Sequence, residues 1–197
     1  MLVKQRREAC LTTSDSFRYK KEVMRKYNIT SRNYDELYGE EQKSKYKLAF
    51  IRIKYLKGIV LDVGCGTALL YRFLSKKAFR KLKLYVGVDL SDGMLWKAKD
   101  KVSREIIPAE LIRADADFLP FRDKVFDAIF AFTLLQNMPE PNITCRELIR
   151  VIKDHGLLVI SIPRNVNVNV RLQGEILENS HVKDTIFLLK LNNKLNT

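Results

Sequence analysis

Apolar runs alternate with stretches of helical periodicity along most of this chain. Tyr46, Ala49, Phe50, Ile53 and Leu56 recur at three- and four-residue spacing, which predicts a helix over about 42–57, closed by Gly58. Ile59-Val60-Leu61 follows as a strand and leads into Asp62-Val63-Gly64-Cys65-Gly66-Thr67, a tight glycine turn, with Leu70, Phe73 and Leu74 as the inner face of the next helix. The alternation then repeats. Leu84 to Val88 reads as a strand ending in Asp89, and Met94, Leu95, Ala98 and Val102 mark a helix. Glu110 to Ala114 is a short strand ending in Asp115, and Phe126 to Phe132 is a strongly apolar one. Cys145, Leu148, Ile149 and Ile152 then share one helical face. Asp154-His155-Gly156 reads as a turn into the strand Leu157 to Ile162.

Strands separated by helices imply right-handed crossovers and a parallel sheet covered on both faces. The segments 175–178 and 185–191 predict a closing hairpin. The expected fold is therefore α/β: a Rossmann-like, mostly parallel seven-stranded sheet with helices on both faces and an antiparallel C-terminal strand. Such a sheet binds its ligand outside the carboxyl ends of its strands, where the strand order reverses. Here those ends carry Asp62, Asp89, Asp115 and Phe132.

Residues 1–23 are polar and basic and include Thr12-Thr13-Ser14-Asp15-Ser16. They read as a flexible basic extension, with one folded domain over 24–197. No apolar run is long enough to span a bilayer, and no h-region follows the early Lys4, Arg6 and Arg7. Three cysteines, an odd number without metal-ligand or redox spacing, read as reduced thiols in a cytoplasmic protein. With His155 and His181 the only histidines, no metal site is expected. The formal net charge of +13 has two readings: solvated helix faces, or attraction to a polyanion such as RNA.

The glycine loop narrows the ligand. A dinucleotide loop needs a third glycine three residues after the second, where this chain has Leu69. Asp62, two residues before the first glycine, would repel a pyrophosphate by roughly 1–4 kcal/mol at effective dielectrics of 80 to 20. The same carboxylate favours an ammonium group. Asp89 is placed to accept from two ribose hydroxyls, and Asp115 from an adenine amino group, with Leu90, Met94, Ala116 and Phe118 as candidate neighbours of the flat base. Each acid alone is equally a turn or cap residue; three at successive strand ends after a glycine loop form a set.

Val60-Leu61-Asp62-Val63-Gly64-Cys65-Gly66-Thr67, Gly87-Val88-Asp89-Leu90-Ser91, Asp115-Ala116-Asp117-Phe118-Leu119-Pro120-Phe121 and Phe126-Asp127-Ala128-Ile129 resemble successive motifs of class I S-adenosylmethionine-dependent methyltransferases. They are similar in particular to the group with ubiquinone-biosynthesis and tRNA-modifying enzymes. The resemblance covers about residues 27–163. It implies that Asp62, Gly64, Cys65 and Gly66 line the methionine end of S-adenosyl-L-methionine and that Asp89 holds the ribose. It further implies that Asp115 and Ala116 meet the adenine and that Phe132 and Thr133 lie beside the methyl. Tyr34 resembles an upstream tyrosine that closes over the cofactor, and also fits ordinary helix packing. Ala68 stands where the family's extended loop has a further glycine, and His155 reads as a turn residue.

No cap insertion is evident, and the segment 164–174 is short, so a shallow open site is expected. Together with the charge, this favours RNA (tRNA or rRNA) as the substrate. The alternatives are a small quinone-like or aromatic acceptor, or a non-catalytic RNA-binding protein of this fold. The resemblance also makes a small zinc-binding activator subunit conceivable. No catalytic base is named; Gln136 and Asn137 follow the fourth strand, where substrate-facing groups of this fold sit.

Overall fold

The apolar runs become strands because only a sheet covered on both faces buries side chains of both parities. They form β1 (Gly58–Val63), β2 (Leu82–Asp89), β3 (Ala109–Arg113), β4 (Phe126–Phe132) and β5 (Ile152–Pro163), followed by β6 (Glu175–Leu177) and β7 (Asp184–Lys190). The computed structural model describes residues 13–77, 81–104 and 107–191. In it the seven strands run in the order β3-β2-β1-β4-β5-β7-β6. β1 to β5 are mutually parallel, and β7 is antiparallel to both β5 and β6. The chain winds one way through β1, β2 and β3 and the other way through β4 and β5, so the reversal point lies between β1 and β4.

The helices are α1 (Thr13–Thr30), α2 (Tyr34–Arg52), α3 (Leu69–Lys76), α4 (Asp92–Val102) and α5 (Pro141–Val151), with a 3-10 turn at Leu135–Asn137. On one face of the sheet, Tyr46, Leu48 and Ala49 of α2, Leu70, Tyr71 and Leu74 of α3, and Ala98 of α4 pack on Val60, Tyr85, Ala128 and Phe130. On the other, Leu148 and Val151 of α5 pack on Leu61, Val86, Ile129 and Leu158, and Val168, Val170 and Leu172 extend that cover.

Three expectations are corrected. Residues 13–23, read as part of a flexible extension, form the first part of α1; residues 1–12 of that extension lie outside the described residues. The Ser/Thr/Asp run that suggested mobility is also what a helix start uses. The helix expected over 42–57 runs from Tyr34 to Arg52, with Asp35 and Glu36 in its first turn, where the helix dipole favours acids; Leu56 is buried beyond its end. Asp154-His155-Gly156 is absorbed into β5 as an irregularity, with the register jumping from Phe126↔Ile152 to Ala128↔Leu157 and His155 left-handed at φ 63°.

Candidate functional site

The glycine loop owes its shape to two left-handed residues, Gly64 (φ 73°) and Gly66 (φ 54°). The Gly64 and Cys65 amides donate to the Val88 carbonyl at 2.8 and 3.0 Å, which ties the loop to the end of β2. Ala68, also left-handed at φ 59° and fully buried, takes its strained place just before α3. The Asp89 carboxylate accepts from the Gly66 amide at 2.9 Å and from the Ser91 amide at 2.8 Å. Burial nevertheless raises its pKa above the ordinary carboxylate value.

A cavity open on one side sits at the reversal point. Its lining includes Tyr34, Gly64, Gly66, Asp89, Leu90, Met94, Asp115, Ala116 and Phe132. A smaller adjoining one shares Tyr34, Gly64, Gly66 and Phe132 and adds Asp62, Cys65, Gln42 and Tyr46. All ten expected site residues thus border one of two connected spaces. Phe118, the fourth expected neighbour of the base, is 74% exposed and outside both linings.

Asp62 is buried, and burial pushes its carboxyl up to about 7 despite a hydrogen bond donated by the Tyr85 hydroxyl at 2.5 Å. Beside it, the Oε1 of Gln42 is buried without a hydrogen-bond partner. The residues lining this small space include no lysine or arginine. Acceptors without a counter-cation fit the ammonium end of an amino-acid ligand and oppose a phosphate.

The site is not shallow. Lys20, Val23, Met24 and Tyr27 of α1 line the larger cavity, so α1 is the cover that the sequence lacked an insertion to provide. Polar contacts hold it. Lys20 Nζ meets Asp115 at 2.7 Å and Asp117 at 2.5 Å, Asn28 Oδ1 accepts from Ser91 Oγ at 2.6 Å and the Gly93 amide at 2.9 Å, and Tyr27 Oη accepts from Asn137 at 3.0 Å. Burial alone would lower the Lys20 ammonium, but the two carboxylates outweigh it and hold it above its usual value. Asp115, expected to face an adenine amine, is therefore already engaged by a cation. The signal for α1 was present as Lys20, Val23, Met24 and Tyr27 at helical spacing, but a boundary at residue 23 divides that stripe.

Replacing Lys20 with Met is expected to speed hydrogen exchange of the α1 amides about 10- to 100-fold, from the loss of about 1.5–3 kcal/mol of charge-assisted bonding. Exchange mass spectrometry checks this; unchanged protection would mean that α1 is held by other means.

Thr133, the other predicted neighbour of the reacting centre, lines the larger cavity at φ 55°. Its hydroxyl accepts from Lys45 Nζ at 2.9 Å and Gln42 Nε2 at 3.4 Å, and its amide donates to Ser161 Oγ at 2.9 Å. Its carbonyl accepts from Gln136 Nε2 at 2.6 Å and Asn137 Nδ2 at 3.1 Å. Lys45, buried on α2, pairs with Asp184 of β7 at 3.1 Å and with Glu41 at 2.9 Å. Nothing in the sequence pattern marked Lys45 or Asp184. Among the described residues no helix is long and apolar enough to cross a membrane, and no group of three His, Cys, Asp or Glu could hold a metal.

Residues 61–160 match a family model described as a methyltransferase domain. The chain is 31% identical over 160 residues to a demethylmenaquinone methyltransferase of Staphylococcus carnosus, covering 79% of this chain and 66% of that protein. It spans about three fifths of the length of the curated relatives it matches. Among solved structures, one described as an S-adenosyl-L-methionine-dependent methyltransferase of Methanococcus maripaludis superposes with a TM-score of 0.70 at 12% identity, covering 88% and 95% of the two chains. A Haloferax volcanii methyltransferase, solved in complex with the Trm112 methyltransferase activator, superposes with a TM-score of 0.62 at 21% identity, covering 69% and 59%.

Proposed function

The chain belongs to the methyltransferase domain family, as a class I S-adenosylmethionine-dependent methyltransferase, and from that premise we propose that it methylates RNA with the cofactor lying under α1. In this reading Asp62, Gly64, Cys65 and Gly66 receive the methionine end, and Asp89 accepts from the ribose hydroxyls. Leu90, Asp115 and Ala116 surround the adenine, Phe132 and Thr133 lie beside the methyl, and Tyr34 closes over the cofactor. The observation that supports the cofactor placement is the space beside Asp62 and the unpartnered Gln42 Oε1, without a lysine or arginine in its lining, adjoining a cavity edged by Asp89 and Asp115.

The cofactor supplies an already electrophilic methyl group, so the chain's work is alignment and exclusion of water. Met24 and Tyr27 cover the site from above, and Leu134 and Met138 line the same cavity from the turn after β4. Burial raises the Tyr27 and Tyr34 hydroxyls, so neither is an ionised base at neutral pH.

The net charge of +13 supports RNA as the acceptor. A covered pocket means that a base would enter it unstacked. A small acceptor is the second reading, favoured by the apolar cover and by the demethylmenaquinone methyltransferase relatives. A small activator subunit is proposed as partner by analogy with the Haloferax volcanii complex. The test is transfer of labelled methyl from S-adenosylmethionine into fractionated cell extract. Label in RNA supports the reading; label confined to metabolites overturns its RNA part.

Asp62 adds a pH signature. With its carboxyl at about 7, the ionised form that holds an ammonium grows about tenfold per pH unit up to pH 7. Affinity for S-adenosylhomocysteine is therefore expected to improve from pH 5.5 to 7 and then level off. The Asp62→Asn variant should bind weakly with no such slope. Calorimetry across this range checks both; a flat wild-type profile would remove Asp62 from the site.

A further inference from the structure

Six exposed cations lie outside the pocket on three neighbouring helices. α1 packs on α4, and α4 on α3. Arg18, Lys21 and Arg25 recur at i, i+3 and i+7 on α1, on the side turned away from Lys20, Met24 and Tyr27. Lys97 on α4 and Arg72 and Lys76 on α3 complete the six. Among the described residues none of them lies within ion-pair distance of a carboxylate. Some cations elsewhere are paired, Arg150 with Glu147 and Asp123, Lys124 with Asp154, and Lys153 with Asp127, while Arg122 and Arg146 are, like the six, exposed and in no ion pair. What distinguishes the six is their placement together on three helices that pack on one another.

We infer that the outer faces of α1, α4 and α3 form a docking band for the phosphate backbone of RNA, leading to the pocket beneath α1. This inference rests on the RNA reading above and names the surface that would serve it. Trp96, 70% exposed on α4 with Lys99 Nζ 5.7 Å from its ring centre, adds a flat face on which a base can stack. The large apolar side chains along the band, Phe17, Ile29 and Trp96, are distributed over two helices. An amphipathic helix meets a bilayer with one unbroken apolar side, which this arrangement does not offer. A strand of phosphates needs spaced cations and isolated rings.

The experiment uses the full chain, fluorescently labelled bulk transfer RNA, and vesicles of phosphatidylserine and phosphatidylcholine. Wild-type protein should bind the RNA with an affinity that falls steeply with salt. The variant Arg18→Glu/Lys21→Glu/Arg25→Glu should lose affinity at least about tenfold and flatten the log–log salt slope by about 2–3. The control Arg122→Glu/Arg146→Glu, two exposed cations off the band, should stay within about threefold of wild type. Calorimetric affinity for S-adenosylhomocysteine should be unchanged in both variants, which separates a failure of the band from a failure of the cofactor site. Wild-type-like RNA binding by the triple variant, an equal loss in the control, or binding to vesicles but not to RNA would each overturn the band.

Discussion

Replacing Lys45 with Met is expected to lower the melting temperature by about 6–20 °C. The side chains of Lys45 and Asp184 are each 1% exposed and face each other at 3.1 Å. Removing the cation leaves the Asp184 carboxylate in the interior with hydroxyl partners only, Ser161 Oγ at 2.9 Å and Thr133 Oγ1 at 3.5 Å. Breaking such a pair costs about 3–5 kcal/mol, and each kcal/mol moves the transition of a chain this size by about 2–4 °C. The double variant Lys45→Met/Asp184→Leu removes both charges and should regain much of the stability. Thermal unfolding followed by circular dichroism checks both. A fall of less than about 2 °C in the single variant would show that the pair is dispensable.

Replacing Asp89 with Ala is expected to weaken S-adenosylhomocysteine binding by about 10²–10⁴-fold. In the proposed reading the carboxylate accepts from two ribose hydroxyls, and hydrogen bonds to a charged group are worth about 1.5–3 kcal/mol each. The same oxygens accept from Gly66 and Ser91, so the variant also loosens the glycine loop. Asp89→Asn, which keeps the shape and loses the charge, should fall between wild type and Ala. Titration calorimetry reads the dissociation constants directly. An Ala variant within fivefold of wild type would move the ribose elsewhere.

Much of the fold was legible in the chain because its strands carry their signal locally. Phe126–Phe132 is so apolar that both ends were readable from composition, and the acids at the ends of β1 and β2 and just beyond β3 marked where the sheet stops and its ligand begins. The cover was not legible. Most of the α1 surface is polar, and its inner stripe borders a cavity, so its apolar pattern is thin. Lys20 looked like one more solvated cation, because its partners Asp115 and Asp117 lie 95 and 97 residues away. Lys45 was obscured in the same way: a lysine within an amphipathic helix reads as surface until a distant strand brings Asp184 beside it. Pairings set by topology leave no trace in local periodicity.

Neither apolar cluster of the described residues includes a side chain of α1. The helix that roofs the cavity is thus clasped from outside to a body that has its own apolar core. Changes at Val23, Met24 or Tyr27 reshape the entrance without unsettling the interior. Drift in this one helix is a route by which related chains could exchange one acceptor for another while keeping a common donor.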